Sequence, residues 1–266
     1  MKAMIIDAHA HIFPDKIARK AVKAIGEYYN IPMSADGTTE ELLRRGAMIG
    51  VRKYIVHSTA TTVAQVSVIN DYIAGETSAH GEFIGFGTLH PDLGEDGIRK
   101  ELDRIIGLGL RGIKLHPEFQ GFSIADENMK PLYRAVEGKL PVLIHMGDEN
   151  KDTSRPDDLA RILNAYPRLT VIAAHLGGYR MWDLSSEYLI GKNVYFDTSS
   201  ALFALDPAEA SRIIHRHGVE HVLFGTDYPM WDHTEEYARF MKLDLTDEER
   251  EMILWKNAAN LLNIVP

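Results

Sequence analysis

The amino-acid sequence predicts an α/β fold, a TIM (β/α)8 barrel with extra helices at its C-terminal end. The chain has 266 residues, of which 45% are hydrophobic, and it can therefore bury one large core. Short apolar runs also alternate with longer segments of helical period, which is typical of βα units repeated around a parallel sheet. We therefore expect a single barrel domain over residues 1–266.

Eight apolar runs qualify as strands, and amphipathic segments separate them. The predicted strands cover residues 4–8, 53–57, 83–89, 112–116, 142–145, 170–174, 194–197 and 221–225. The predicted helices cover residues 39–48, 62–79, 97–108, 128–137, 157–166, 179–190 and 207–217. Because a helical segment follows each of the first seven strands, the order of elements is that of a closed barrel.

Two segments outside these units carry local signals. Thr246 and Glu249 have the spacing of a capping box, and Asn257 is expected to cap a second short helix that ends at Leu262. The stretch 30–39 contains Pro32, Gly37 and small polar residues, so it predicts a mobile loop. Because this loop follows the first strand, we expect it to lie over the barrel mouth.

Composition restricts the ligands and partners. The chain has no cysteine, which leaves imidazole and carboxylate as its only strong metal ligands. A formal net charge of -9 argues against nucleic acid and against an anionic membrane surface. Asp7 interrupts the first apolar run, and no run has membrane-spanning length. We expect a cytoplasmic protein with a small-molecule substrate, and a homodimer stays open.

Histidines cluster at the ends of the predicted strands. His9 and His11 are two residues apart on one strand, so both can face the barrel axis and bind one metal ion. His145, His175 and Asp227 end three other strands. The carboxyl ends of barrel strands meet on the face that carries TIM-barrel active sites, so these side chains are expected to converge. Imidazole is a poor core filler, which favours a site over a packing role.

The remaining strand-end histidines have weaker signals. His90 and His116 each precede a proline, so a structural role at the strand end competes with a functional one. His57 is interpreted as structural.

The motifs of these strand ends resemble those of the amidohydrolase superfamily. The resemblance is carried by His-Ala-His at 9–11, Gly-Ile-Lys-Leu-His-Pro at 112–117, the single histidines of strands five and six, and Gly-Thr-Asp-Tyr-Pro at 225–229. Ala-His-Leu-Gly-Gly at 174–178 is most similar to the amidohydrolase-related branch, which includes relatives of aminocarboxymuconate-semialdehyde decarboxylase. Residues 253–262 are similar to the C-terminal helix of that branch.

The resemblance implies one divalent ion per chain, usually zinc, bound by four side chains and open at one position to water or substrate. The implied ligands are His9, His11, His145 and Asp227. Zinc accepts such donors and lowers the pKa of a bound water to about 7. Asp227 would then accept the proton of that water and pass it to the leaving group, and His175 would polarise the substrate or transfer protons.

Lys114 separates two versions of this site. In binuclear members of the superfamily the strand-four lysine is carboxylated and bridges two metals, whereas the decarboxylase-like branch uses one metal. We expect one metal and an unmodified Lys114 that binds an anionic group of the substrate. His116 shares the strand face of Lys114, and Arg180 follows strand six, so both are candidate substrate-binding residues.

Three classes of function follow from the resemblance. The leading expectation is a metal-dependent hydrolase that cleaves a C–N or C–O bond of a small anionic substrate through a metal-activated water. The alternative is a metal-dependent decarboxylase or hydratase of a small aromatic or unsaturated carboxylic acid. A catalytically inactive metal-binding barrel is disfavoured because every expected ligand is present. The sequence does not separate hydrolase from decarboxylase, because both need the same ligands.

Overall fold

A computed structural model describes residues 4–264, which form an eight-stranded parallel sheet flanked by helices. The strands are β1 (Ile5–His11), β2 (Val51–His57), β3 (Phe83–Thr88), β4 (Gly112–Leu115), β5 (Val142–Ile144), β6 (Val171–Ala173), β7 (Tyr195–Asp197) and β8 (Val222–Leu223). They neighbour one another in sequence order, and each overlaps a predicted run. The barrel prediction is therefore confirmed.

Contacts between β1 and the residues after β8 complete the ring. The His11 amide donates to the Tyr228 carbonyl at 2.7 Å, and the Asp227 amide donates to the His9 carbonyl at 2.9 Å. With these bonds β1 continues to His11, three residues past its predicted end at Ala8. The register shifts between Asp7 and Ala10, and such a bulge re-aims the side chains that follow it. His9 and His11 thus enter the barrel mouth from within β1.

Helices pack against the outside of the sheet and cover the barrel mouth. They are α1 (Asp15–Tyr29), α2 (Thr39–Ile49), α3 (Val66–Ala79), α4 (Gly94–Gly107), α5 (Pro117–Gln120), α6 (Lys130–Val136), α7 (Pro156–Ala165), α8 (Trp182–Tyr188), α9 (Pro207–His217), α10 (His233–Phe240), α11 (Asp247–Glu251) and α12 (Asn257–Leu262). The seven predicted helices correspond to α2–α4 and α6–α9, whereas α1, α5 and α10 were not predicted. Within residues 4–264, no helix is long and apolar enough to cross a bilayer.

Helix α1 supplies part of the barrel mouth. It buries Ala18 and Val22 and ends where Asn30 adopts a left-handed conformation at φ 51°. The loop after α1 runs back over the mouth, where the Ser34 amide donates to the Pro229 carbonyl at 3.2 Å. The expected position of this loop is therefore correct.

The C-terminal helices differ from expectation at one residue. The capping box of Thr246 and Glu249 is present. The prediction that Asn257 caps a separate helix is wrong, because helical backbone continues from α11 through a π-helical turn, Met252–Lys256, into α12. The side-chain amide of Asn257 instead donates to the carbonyls of Val219 and Val222, both at 2.8 Å, and so connects this helix to the start of β8.

Candidate metal centre and active site

Three donor atoms meet at the barrel mouth in a nearly equilateral triangle. His9 Nε2 lies 3.3 Å from His11 Nε2 and 3.3 Å from Asp227 Oδ1, and His11 Nε2 lies 3.4 Å from the same carboxylate oxygen. We call these three atoms the donor triangle. All three belong to residues that were predicted as metal ligands.

Buried side chains hold the donor triangle from behind. Asp197 Oδ2 accepts a hydrogen bond from His9 Nδ1 at 2.9 Å, and its other oxygen accepts from the His175 amide at 3.0 Å. The Ser200 hydroxyl donates to Asp227 Oδ2 at 2.5 Å. A carboxylate behind a histidine fixes the tautomer and raises the basicity of the nitrogen that faces a metal.

The donor triangle fits a bound cation. A tetrahedral ion with bonds of roughly 2.0–2.1 Å separates its ligand atoms by about 3.3–3.4 Å, as in the donor triangle. His9 is bonded through Nδ1 to Asp197, which leaves Nε2 to face the carboxylate of Asp227 and the Lys114 amine. The spacing and the combination of imidazole and carboxylate donors therefore suit a divalent ion.

The charge state of the donor triangle also favours metal binding. Burial lowers the pKa of His11 to about 4, so its ring is neutral at neutral pH. Burial alone would raise the pKa of Asp227, but His9 and the hydrogen bond from His11 outweigh that effect and hold this pKa well below its ordinary value. Neutral imidazole and ionised carboxylate are the forms that coordinate metals.

Three further histidines form the opposite wall. The rings of His116 and His145 stack with centroids 4.0 Å apart, and His145 Nδ1 lies 2.9 Å from His175 Nε2. We call these residues the histidine row. Within residues 4–264, no hydrogen bond or ion pair joins His145 to the donor triangle. The structure thus brings together three of the four predicted ligands and places the fourth beside His175.

The first residue of the histidine row lies beside a carboxylate. His116 Nδ1 and Glu118 Oε2 are buried and 3.2 Å apart, within ion-pair distance but outside hydrogen-bond geometry. The other nitrogen, His116 Nε2, lies 3.2 Å from the Tyr29 hydroxyl, which is also 3.3 Å from His145 Nε2. Burial lowers the pKa of all three histidines of the row and raises that of Tyr29 well above its ordinary value. The row therefore presents neutral rings to a protonated tyrosine.

Lys114 lies beneath the donor triangle. Its side chain is fully buried, and Nζ lies 3.1 Å from His9 Nε2. Burial lowers the pKa of the amine to about 8. The negative charges of Asp227 and Asp197 raise this pKa and so keep the decrease from being larger. The predicted substrate-binding lysine therefore contacts a donor of the triangle directly.

Arg180 lies apart from the other predicted residues. Its side chain is 37% exposed and pairs with Glu149 at 3.5 Å. The guanidinium also lies over the rings of Tyr179 and Phe203, at 5.6 and 5.4 Å from their centroids. Tyr179, and not Arg180, lines the cavity at the barrel mouth.

Sequence reasoning missed several residues of this site. Asp197, Ser200, Glu118 and Tyr29 were not selected, although Asp197 closes a predicted strand and so carried a usable signal. His57 was interpreted as structural, yet its buried ring lies against His11 with centroids 4.4 Å apart, and neither ring nitrogen has a hydrogen-bond partner among residues 4–264. Such a buried polar group without a partner calls for a functional explanation.

Backbone conformation marks the same strand ends. His175, Ser200 and Asp227 have φ angles of 63°, 46° and 58°, in the left-handed region that residues other than glycine rarely adopt. They follow β6, β7 and β8. Strained residues of this kind concentrate at functional sites, where the surrounding structure holds them in place.

A small cavity lies between the donor triangle and the histidine row. We call it the catalytic cavity, and its volume is about 20 Å³. Its lining includes His11, His116, His145, His175, Asp227, Tyr29, Met33 and Phe119. A water molecule needs roughly 10–15 Å³ by this measure, so the cavity admits an ion or a water and not an organic acid.

The fold and this site define a barrel with a candidate histidine–carboxylate site for a metal ion. A family model described as amidohydrolase matches residues 6–264, and the chain therefore belongs to that enzyme family. This match confirms the resemblance drawn from the motifs. Two curated relatives are similar to parts of the chain: the orsB decarboxylase of Emericella nidulans is 26% identical over 127 residues, and 2-amino-3-carboxymuconate-6-semialdehyde decarboxylase of Caenorhabditis elegans is 28% identical over 149 residues.

These matches cover 40% and 47% of the chain but only 38% and 35% of the two relatives. Among solved structures, the dihydroxybenzoic acid decarboxylase of a Polaromonas species, with bound manganese and the inhibitor 2-nitroresorcinol, aligns with a TM-score of 0.75. Its sequence identity is 16%, and the alignment covers 98% of this chain and 97% of that one. At this identity the likeness shows the shared fold.

Proposed function

We propose that the protein is a divalent-metal-dependent, non-oxidative decarboxylase of a small aromatic or unsaturated carboxylic acid. The observation that carries this proposal is the donor triangle, which is buried opposite the histidine row in a chain whose curated relatives are decarboxylases. The comparisons thus favour the alternative function from the sequence over hydrolysis.

Asp227 would have a different task in each of the two candidate reactions. Cleavage of a C–N or C–O bond by a metal-activated water needs a base that accepts the proton of that water. Asp227 was expected to be this base; its Oδ1 belongs to the donor triangle and its Oδ2 accepts the Ser200 hydroxyl. Decarboxylation does not require this base, because the leaving group is carbon dioxide, and Asp227 would then serve as a metal ligand alone.

His9, His11 and Asp227 would hold the metal, and His145 is the proposed fourth ligand. His145 lines the same cavity and would exchange its hydrogen bond with His175 for the ion. A bound divalent ion supplies a Lewis acid that binds and polarises oxygen atoms of the substrate. Zinc was expected from the sequence, and imidazole and carboxylate donors also suit manganese, the metal in the Polaromonas decarboxylase.

The remaining residues would handle the substrate and a proton. In the reaction the bond between the substrate carbon and its carboxyl group breaks, the electron pair stays on that carbon, and a proton replaces carbon dioxide. His175 is the proposed proton donor, because its ring lines the catalytic cavity and stacks on that of His9 at 5.3 Å between centroids. His116 lines the catalytic cavity, which supports its role in binding, whereas the exposed Arg180 can act only at the rim.

Lys114 is proposed to remain an unmodified amine beside a single metal ion. Its Nζ occupies the space next to His9 Nε2, and its pKa of about 8 keeps a positive charge near an anionic substrate at neutral pH. Intact-mass measurement at neutral pH should show no added carboxyl group. Two ions bridged by a carboxylated Lys114 in a crystal structure would overturn this assignment.

The proposed function is tested by separating carbon dioxide release from hydrolysis. Protein loaded with manganese or zinc should release carbon dioxide from members of a panel of hydroxybenzoates and unsaturated acids. The same preparation should leave a matched panel of amides, esters and lactones intact, and chelator treatment should abolish turnover. Hydrolysis without any release of carbon dioxide would reject the proposal in favour of the hydrolase.

A further inference from the structure

We propose that the substrate carries an uncharged apolar body, which lies in a chamber between α1 and α3 while its polar head reaches the metal centre. This inference rests on the proposed function for the acid group and adds the class of substrate. The chamber has a volume of about 540 Å³, which falls in the usual range for a small-molecule site. The catalytic cavity, at about 20 Å³, has no room for such a body.

The chamber adjoins the catalytic cavity. His11, Ile25, His116 and Phe119 line both spaces, so the two spaces share one boundary. His11 contributes a donor of the triangle, and His116 begins the histidine row. A molecule in the chamber therefore lies against one member of each wall of the active site.

Helices α1 and α3 form the sides of the chamber. One face of α1 contributes Ile17, Ala21 and Ala24, and α3 contributes Val68, Ile69 and Tyr72. The two alanines leave the space open, because any larger side chain at those positions would project into it. Ile17 and Val68 are 50% and 66% exposed, so the outer end of the chamber opens to solvent between apolar side chains. Exposed apolar side chains on both sides of an opening are typical of a ligand-binding groove.

The lining defines the chemistry of the occupant. Among the described residues, no lysine, arginine, aspartate or glutamate lines the chamber, so a second carboxylate on the substrate would have no partner there. Thr59 Oγ1 is a buried lining atom without a hydrogen-bond partner, and it could bind one hydroxyl or ether oxygen. The structure thus favours a monocarboxylic acid with an alkyl or aryl extension over a compact dicarboxylic acid.

The binding test compares resorcinol with 4-butylresorcinol on manganese-loaded protein, by calorimetry and by NMR of methyl groups. The butyl group should tighten binding by about tenfold or more, since each fully buried methylene contributes roughly fourfold. Methyl signals of Ile17, Ile25 and Val68 should shift, whereas the signal of core Ile213 should stay in place. No chamber shift and no gain from the butyl group would overturn the proposal.

Variants of α1 test whether the butyl group lies in the chamber. Ala21→Trp should fill the chamber and abolish the gain from the butyl group, and Ala24→Trp repeats the test if the first variant does not fold. Lys20→Trp places the same ring on an exposed position of α1 outside the lining and should retain the gain. A gain that survives both alanine variants would place the butyl group elsewhere. Methyl shifts that follow protein concentration and not ligand would identify a second copy of the chain as the occupant.

Turnover separates this inference from the proposed function. If 4-butyl-2-hydroxybenzoate is decarboxylated with a higher kcat/KM than 2-hydroxybenzoate, both proposals gain support. Chamber shifts without any release of carbon dioxide would reject the decarboxylase and keep the chamber. Release of carbon dioxide with no preference for the butyl compound and no chamber shift would keep the decarboxylase and reject the chamber as the substrate site.

Discussion

The two walls of the catalytic cavity are both built from histidines, but their nitrogens are arranged differently. In the donor triangle, His9, His11 and Asp227 direct one atom each toward a common point, with separations of 3.3–3.4 Å. In the histidine row, His145 Nδ1 contacts His175 Nε2, the His116 ring stacks on His145, and both of these rings contact the Tyr29 hydroxyl. Convergent donors suit an ion, whereas paired and stacked imidazoles suit binding and transfer of a proton.

A buried carboxylate supports each wall. Asp197 accepts from the ring nitrogen of His9 that points away from the donor triangle, and it also accepts from the His175 amide. Glu118 contacts only the first residue of the histidine row and receives hydroxyl hydrogen bonds from Thr153 and Ser154. Asp197 therefore couples the two walls, while Glu118 acts on one of them. Variants of these residues should separate metal binding from turnover.

The largest effect is expected from removal of two donors of the triangle. A His9→Ala, His11→Ala double variant should lose its bound metal and all metal-dependent turnover, because only one donor of the triangle remains. Elemental analysis of protein purified without chelator measures this directly. The matched control is His215→Ala, which removes an exposed histidine of α9. Unchanged metal content in the double variant would place the ion elsewhere.

A smaller loss is expected when the histidine row is changed without touching the donor triangle. His175→Asn should retain the metal but lower turnover by about a hundredfold or more, the usual contribution of a positioned acid or base. Metal content and turnover should be measured on one preparation. Loss of metal together with turnover would instead make His175 a ligand, and retention of both would make it structural.

Asp197→Asn should weaken the metal site without removing a ligand. Replacing the outer carboxylate behind a metal-binding histidine typically costs about 10–100-fold in metal affinity or activity. The side-chain oxygen of asparagine can still accept one hydrogen bond. The negative charge that stabilises the protonated Nδ1 of His9 is lost. Competition with a chelating dye gives the affinity, with exposed Asp183→Asn on α8 as the control. Equal affinities in both variants would remove Asp197 from the metal site.

The sequence predicted most of the fold because each strand carries its own apolar run. Even β8, which is two residues long, lies within a run of apolar residues. Helix α1 was missed because it starts after Pro14 without a side-chain cap, so its beginning carries no start signal. Its apolar period, with Ala18 and Val22 buried, was present in the sequence and could have identified it.

The predicted site followed the strand ends, and residues elsewhere were harder to find. Three of the four proposed ligands meet because β1 and the residues after β8 are hydrogen-bonded neighbours. Glu118 lies beside His116 because the chain turns at the start of α5. Tyr29 reaches the site as the last residue of α1, a helix that was not predicted. No periodic pattern encodes such contacts between a loop or helix end and a strand end. The register of the strands alone also could not show that the His145 ring contacts the His175 ring.

Glu118→Gln should affect turnover and leave the metal in place. An amide nitrogen beside His116 Nδ1 would force that nitrogen to accept, and the ring proton would move to Nε2, which faces Tyr29. Turnover should fall about tenfold, because the variant removes the negative charge beside His116 Nδ1 and the loss of a contact with a charged group costs at least roughly 1.5 kcal/mol. Nitrogen-15 NMR of the imidazole reports the tautomer, and exposed Glu127→Gln is the control. An unchanged tautomer would show that Glu118 does not orient His116.

The smallest effect is expected from Tyr29→Phe, which keeps the ring and removes the hydroxyl between His116 and His145. Loss of this hydrogen bond should lower the free energy of unfolding by about 0.5–1.5 kcal/mol and turnover by a few-fold. The imidazole NMR signals of His116 and His145 should shift, while metal affinity stays unchanged. Tyr28→Phe is the matched variant, because it removes a hydroxyl of the same helix that donates to Asp148 at 3.0 Å. It should lower stability to a similar extent without moving those imidazole signals, since Asp148 belongs to neither wall. If Tyr29→Phe weakened metal binding as far as Asp197→Asn, the Tyr29 hydroxyl would act on the metal through His145, and its assignment to turnover alone would be wrong.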